Sequence, residues 1–151
     1  MRPISGAEAL RSSVDTFDAI IAAHRDRDGP LLPILHDIQA TFGAVDEAAK
    51  RHVAEALNLT RAEVHGVVSF YHDFRDTPAE RPVVKLCRAE ACQARGAEAL
   101  AAKAEALAAG RAVVEPVYCL GLCAIGPAAM VGTTPYARLD ETAFARLVEE
   151  L

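Results

Sequence analysis

The chain has 151 residues, of which 52% are hydrophobic, enough for one ordinary domain or a compact domain with a helical extension. This length excludes a nucleotide domain, a substrate domain and a metal site in the same chain. The net charge of −5, the absence of tryptophan and an aromatic content of 5% argue against nucleic acid or an anionic membrane as the main partner.

The first half of the chain has the residue spacing of short helices. A first helix is expected to end before Gly29-Pro30, and a second to begin after Pro33 and end at Gly43. Asp46 is the expected N-cap of a third helix, and Thr60 and Glu63 form a capping box for a fourth. The residues that recur at helical spacing in the first helix are Ala7, Leu10, Val14, Phe17, Ile20 and Ile21. Four short helices with brief loops predict a small antiparallel bundle.

The second half has a different pattern, which begins after a polar turn over residues 75–81. Strands are predicted over 82–86, 112–118 and 128–131, and an alanine-rich helix over 95–109 separates the first two. Asp140 is expected to cap a final helix that includes Phe144, Leu147, Val148 and Leu151. We therefore predict an α+β protein with a helical bundle over residues 1–75 and a small α/β domain over residues 76–151.

All four cysteines lie in the second half, as the pairs Cys87-x4-Cys92 and Cys119-x3-Cys123. The first cysteine of each pair follows a predicted strand. In a parallel β-α-β unit those strand ends lie on one edge of the sheet, so four thiolates are expected to converge there. Spacing alone leaves a [2Fe–2S] cluster, a structural zinc ion and a redox disulfide open as interpretations.

The loops around the cysteines suit an anionic metal centre. Small residues would let the backbone approach the inorganic sulfides of a cluster closely, and these are Ala91, Gly96, Gly121, Ala124 and Gly126. The helix expected to begin near Arg95 would direct its positive N-terminus toward the site. Arg88 and Arg95 are further candidates for positive charge near the thiols.

No segment approaches the roughly 20 apolar residues that span a bilayer. The stretch from Met1 to Asp15 lacks the pattern of a signal peptide, so a cytoplasmic location is expected. In that compartment cysteines are metal ligands or redox groups more often than structural disulfides.

Other polar and aromatic residues have simpler interpretations. We expect the histidines to be structural; they are His24, His36, His52, His65 and His72. Asp73 and Asp76 are expected to be loop charges and not an acid–base couple. The motif Phe70-Tyr71-x-x-Phe74 favours core packing, with a docking surface as the alternative. No catalytic residue is predicted in this chain.

Three motifs together resemble a known family. They are the run Leu32-Pro33-Ile34-Leu35-His36-Asp37-Ile38-Gln39 with Phe42-Gly43, the run Val64-x-Gly66-Val67-x-Ser69-Phe70-Tyr71, and Cys-x4-Cys followed by Cys119-Leu-Gly-Leu-Cys123. This combination resembles the 24-kDa-type subunit of respiratory complex I and its relatives. The resemblance implies a helical bundle joined to a thioredoxin-like [2Fe–2S] ferredoxin domain, with Cys87, Cys92, Cys119 and Cys123 as the cluster ligands.

The subgroup is suggested by a departure from complex I members, which usually have a longer stretch between the cysteine pairs. The runs over residues 65–74 and 87–96 are most similar to the gamma subunit of NAD-dependent, molybdenum-containing formate dehydrogenases, and NAD-reducing hydrogenases remain an alternative. The resemblance implies an electron-transfer subunit that docks on a flavoprotein carrying FMN, NAD and a [4Fe–4S] cluster. A further subunit would hold the molybdenum cofactor. A zinc-binding interaction module is the alternative from a different class.

Overall fold

The first part of the chain is a bundle of four helices in the computed structural model, which describes residues 6–151 and their side chains from Ser13 onward. The helices are α1 (Gly6–His24), α2 (Leu31–Phe42), α3 (Glu47–Leu57) and α4 (Arg61–Phe70). They belong to a compact unit that extends to Ala79, and a second unit follows from Glu80 to Leu151. Most of the stretch from Met1 to Asp15, on which the expectation about a signal peptide rests, lies outside the described side chains.

The helix ends follow the capping residues of the sequence. The Asp46 carboxylate accepts a hydrogen bond from the Ala49 N–H at 2.8 Å, and Thr60 and Glu63 form the predicted capping box. The predicted start of the second helix was wrong, because α2 begins at Leu31 and includes Pro33 in its first turn. Proline is tolerated there because the first helical N–H groups have no partner within the helix.

The bundle has its own hydrophobic core. The largest side chains that are fully buried in it are Ile34, Leu35, Ile38, Val45, Val53 and Val64. Phe17 and Ile21 of α1 are buried, whereas Val14, which belongs to the same helical spacing, is 41% exposed. Ala7 and Leu10 lie outside the described side chains.

The second unit is built on a four-stranded sheet. The strands are β1 (Val83–Cys87), β2 (Val113–Val117), β3 (Ala128–Val131) and β4 (Thr134–Ala137), and their order across the sheet is β2-β1-β3-β4. β1 and β2 are parallel, while β3 pairs antiparallel with both β1 and β4. The predicted α+β class is therefore confirmed.

Three helices and a short 3₁₀ turn complete this unit. They are α5 (Glu90–Gln93), α6 (Ala97–Ala108) and α7 (Glu141–Glu149), with the 3₁₀ turn at Cys123–Ile125. Phe144, Leu147 and Val148 of α7 are buried with Leu100 and Ala104 of α6 in a core that also includes Val84 and Leu86 of β1. The two parallel strands and the intervening α6 form the predicted β-α-β unit, which positions the cysteine loops.

Four details differ from the sequence prediction. α6 begins at Ala97 and not near Arg95, because Gly96 precedes it in the left-handed conformation with φ +94°. The separate helix α5 and the strand β4 were missed, since a four-residue element carries little periodic signal and Pro135 is unusual in a strand. Leu151 follows the end of α7 and is exposed. Among the helices that the structure describes, none is both long and apolar enough to cross a membrane.

Candidate metal centre

The four cysteines lie on two loops at one edge of the sheet. Cys87 is the last residue of β1, and Cys92 is in α5. Cys119 follows β2 by two residues, and Cys123 begins the 3₁₀ turn. Because β1 and β2 are parallel and Cys87 is in register with Val117, the two loops leave the sheet side by side. The predicted meeting of two strand-end loops is present in the structure.

The thiols are arranged as two pairs. Cys87 is hydrogen-bonded to Cys92, and the sulfurs of Cys119 and Cys123 are 3.9 Å apart. Two thiolates bound to one tetrahedral metal ion at about 2.3 Å are held about 3.8 Å apart, so the second pair already has the spacing of a bidentate site. Within the described part of the chain, no three His, Cys, Asp or Glu side chains surround a single metal position.

The two pairs are connected through the backbone. The N–H groups of Cys119 and Leu120 donate hydrogen bonds to the sulfur of Cys87, as does that of Ala89. The N–H of Ala128, at the start of β3, donates to the sulfur of Cys92. Three chain segments therefore direct N–H donors at the buried sulfurs, an environment that stabilises negative charge on thiolates.

The two thiol pairs differ in solvent exposure. Cys87 and Cys92 are each 2% exposed, and they lie in a small apolar cluster with Ala97 and Ala128. Cys119 and Cys123 are exposed. One thiol pair is thus shielded from solvent by the fold, while the other is at the surface.

The thiol pKa values differ for physical reasons. Burial alone would raise the pKa of Cys87, but the three backbone donors and the Cys92 thiol outweigh it and lower that pKa. Burial, followed by the interaction with Cys87, raises the pKa of Cys92. The hydrogen bond and charge of Cys119 raise the pKa of Cys123. The lowered pKa of Cys87 favours its thiolate, the form in which cysteine binds metal ions.

The small residues near the cysteines have different roles. At Gly126 a Cβ atom would lie 2.9 Å from Cys92 Sγ, so the close approach of these two residues favours glycine. A Cβ atom added at Gly96 or Gly121 would have no described atom within 4 Å. Glycine is favoured at these two positions because their φ values, +94° and +76°, are rarely adopted by residues with a side chain. Cys119 also has a positive φ, +88°, which is rare for a residue with a side chain.

Two features near the thiols were missed by sequence reasoning. Arg88 pairs with Glu98 of α6 through two hydrogen bonds, one of them 2.8 Å from Nε to Oε1. Tyr118, next to Cys119, is 71% exposed. The position of Glu98 in the first turn of α6 could be predicted from the sequence. Its pairing with Arg88 could not, because no periodic pattern connects residues that are ten positions apart.

The other candidate residues lie in the helical bundle. His24 pairs with Asp37 at 2.6 Å and His52 with Asp18 at 2.7 Å, while the His36 ring packs on Phe74. Asp76 is more than a loop charge, since it binds the buried Lys50 at 2.8 Å. Of the aromatic motif, Phe74 is buried whereas Phe70 is 74% exposed.

Comparison with known families supports the metal centre. The family model for thioredoxin-like [2Fe–2S] ferredoxins matches residues 17–151, which includes both cysteine pairs. The match confirms the thioredoxin-like character that the family resemblance implies. The match also covers the helical bundle from Phe17 onward, so the family model includes most of the first unit and all of the second.

Several relatives are subunits of oxidoreductases. The chain is 29% identical over 133 residues to the HndA subunit of the NADP-reducing hydrogenase of Solidesulfovibrio fructosivorans, covering 82% of this chain and 78% of that one. It is 28% identical over 144 residues to an NADH-quinone oxidoreductase subunit of Rhizobium meliloti (strain 1021), covering 89% and 86%. The identity to an NADH-quinone oxidoreductase subunit of Escherichia coli (strain K12) is 27% over 135 residues, covering 83% and 81%.

A solved structure has the same fold. An NAD+-reducing [NiFe]-hydrogenase in the H2-reduced state matches with a TM-score of 0.65 and 26% identity over 77% of this chain. The match spans only 21% of that hydrogenase chain, so the similar region is one part of a much longer polypeptide.

Proposed function

This chain belongs to the thioredoxin-like [2Fe–2S] ferredoxin family, and from that premise we propose that it is an electron-transfer subunit with one cluster on Cys87, Cys92, Cys119 and Cys123. The observation that carries the proposal is the joining of two thiol pairs by backbone N–H groups of Cys119 and Leu120 at the sulfur of Cys87. Paired thiols separated along the sheet edge suit two iron ions, each with two cysteine ligands.

The residues of this chain fit a [2Fe–2S] cluster in three ways. Four free thiols supply the required ligands, backbone donors compensate their negative charge, and Gly126 leaves space beside Cys92. When bound, a [2Fe–2S] cluster accepts and releases one electron at a time. The buried pair excludes water from one side, while the exposed pair brings the other side to the surface, where a redox partner can approach.

The chain's role is that of a non-catalytic subunit of an NAD-linked oxidoreductase. Similarity to subunits of NADH-quinone oxidoreductases and of an NADP-reducing hydrogenase supports this class. The proposed partner is a flavoprotein subunit with FMN, NAD and a [4Fe–4S] cluster. We assign the bundle, predicted over residues 1–75, to docking and residues 76–151 to the cluster, in a cytoplasmic complex.

Within this class, we propose a gamma subunit of NAD-dependent formate dehydrogenase, with a molybdenum-containing subunit in the same complex. The supporting residues are the runs over 65–74 and 87–96 and the short distance between the cysteine pairs. A subunit of an NAD-reducing hydrogenase or a complex I relative is the alternative, favoured by the relatives described above. Isolation of the native complex and assay with formate, hydrogen and NADH distinguishes them.

The cluster assignment is tested on the purified chain. We expect two irons and two acid-labile sulfides per chain, and a rhombic one-electron EPR signal after dithionite reduction. Cys119→Ser should lose most of this iron, because one missing ligand opens the surface pair. Ser69→Ala, which removes a hydroxyl from the bundle, is the matched control and should retain full iron.

A different metal would give a different result. Stoichiometric zinc with no EPR signal would show a structural zinc module and refute electron transfer. Full iron in Cys119→Ala, which has no side-chain atom that can bind iron, would remove Cys119 from the ligand set while leaving the remainder of the proposal in place.

A further inference from the structure

The aliphatic part of the Arg95 side chain lies close to the sulfur of Cys92. Gly126 has no side chain, and the position that a Cβ would occupy there is 2.9 Å from Cys92 Sγ and 3.5 Å from Arg95 Cδ. The Cδ of Arg95 is therefore no farther from the sulfur of Cys92 than the sum of those two distances. The central carbon of the guanidinium group is two bonds beyond Cδ, so its distance from the Cys92 sulfur exceeds that sum by no more than the length of those two bonds.

This charge has no compensating partner. Across residues 13–151, whose side chains the structure describes, the Arg95 guanidinium forms no ion pair or hydrogen bond. Arg88 is also adjacent to the thiols in sequence, but Glu98 neutralises it through two hydrogen bonds. The two arginines that the sequence places near the cysteines are thus electrostatically different.

We propose that Arg95 raises the midpoint potential of the cluster by placing an uncompensated positive charge in the neighbourhood of Cys92. This inference rests on the proposed function. Reduction adds one negative charge to the cluster, so a nearby cation stabilises the reduced state more than the oxidised state.

The missing side chain of Gly126 leaves space for the stem of Arg95. The aliphatic stem of Arg95 passes over the backbone at Gly126, and the lack of a side chain there allows both the stem and the Cys92 sulfur to approach. Gly126 itself has φ −63°, which any residue can adopt, so the space is the feature that favours glycine.

The test is a redox titration of the intact chain followed by EPR. Arg95→Gln is expected to shift the midpoint potential to a more negative value, whereas Arg95→Lys should keep most of the wild-type potential because it keeps the charge. The difference between wild type and Arg95→Gln should shrink as KCl is added, since salt screens an exposed charge. Unchanged iron content and g-values show that the ligand set is intact.

Arg111→Gln is the matched control. It makes the same change in net charge, and Arg111 is exposed at the opposite end of β2, a strand that spans roughly 15 Å. We expect Arg111→Gln to leave the potential close to that of wild type. The double variant Arg88→Gln/Glu98→Gln removes a neutral pair and should also have little effect.

Several outcomes would overturn the inference. A shift for Arg95→Gln no larger than that for Arg111→Gln would do so. If Arg95→Gln loses its iron, Ala94→Glu places a carboxylate beside Arg95 without altering its stem, and an unchanged potential in that variant would equally overturn it. A wild-type chain without a [2Fe–2S] signal would overturn the proposed function and this inference together. A normal signal with the same midpoint potential in wild type and Arg95→Gln would remove only the role of Arg95.

Discussion

Cys119 connects the two thiol pairs at the level of a single residue. Its N–H donates to the sulfur of Cys87, while its own sulfur is 3.9 Å from that of Cys123. Cys119 makes both contacts with a φ of +88°. For a residue with a side chain, this backbone conformation is unfavourable by about 1–3 kcal/mol. Such strain is typical of functional sites, and here it coincides with a proposed ligand.

Gly126 provides a test of close packing against a proposed ligand. In Gly126→Val the new Cβ would lie 2.9 Å from Cys92 Sγ, so the sulfur or the loop must move. We expect a lower iron content per chain and a broadened EPR signal, measured on protein reconstituted under identical conditions. Gly126→Ala should show a smaller effect in the same direction.

Gly66→Ala is the control for this substitution. Gly66 is in α4, and no described atom lies within 4 Å of its Cβ position. Alanine there should stabilise the helix by roughly 0.5–1 kcal/mol and leave iron content unchanged. Full iron in Gly126→Val would mean that the loop moves away from Cys92 at no cost to binding.

At the level of elements, Lys50 fixes α3 to the segment that follows α4. Lys50 is only 3% exposed, and its ammonium binds Glu47 at 2.5 Å and Asp76 at 2.8 Å. The side chain of Gln39 holds the same segment, since it donates to the Asp73 carbonyl at 2.6 Å and accepts from the Arg75 N–H at 2.7 Å. The irregular chain after α4 is therefore a bonded part of the bundle.

This arrangement predicts a loss of bundle stability in acid. The hydrogen bond and charge of Lys50 lower the pKa of Asp76 and of Glu47 from 3.8 and 4.5. Both carboxylates thus stabilise the bundle above those values, and their contribution is lost as the pH falls through the lowered pKa of each. Burial opposes the charge of Lys50, but its bonds to Asp76 and Glu47 outweigh burial and raise its pKa, so its contribution persists up to alkaline pH.

Lys50→Met should remove most of this pH dependence. NMR signals of α3 measure its melting temperature between pH 3 and 7. We expect this temperature to fall in acid for wild type and to change much less for Lys50→Met. Lys103→Met is the control, because the pair of Lys103 with Glu141 is exposed and contributes little. An acid response of α3 in Lys50→Met equal to that of wild type would contradict the prediction.

At the level of the whole molecule, the two units have separate cores, and residues 76–82 between them are exposed. A glutamate-specific protease should therefore cut first among internal sites after Glu80, giving fragments 1–80 and 81–151 by mass spectrometry. Trypsin should be slow at Arg81, because proline follows it. A first cut within α6 would contradict the division.

Local patterns in the sequence determined much of this protein. The caps Asp46, Thr60 and Asp140 were predictable because each depends on a hydrogen bond to an N–H three residues away. The meeting of the cysteine loops followed from the parallel β-α-β pattern, and the cysteine spacing with the family resemblance gave the candidate ligands.

Only the tertiary structure decided the features that join distant segments. The burial of Cys87 and Cys92, the exposure of Cys119 and Cys123, the approach of Arg95 to Gly126 and the bond from Lys50 to Asp76 all depend on contacts between different loops and elements. The sequence carries periodicity and short-range bonding preferences, which act over a few residues. Solvent exposure and charge separation at a site depend on how packed elements fill space, and no local pattern encodes those quantities.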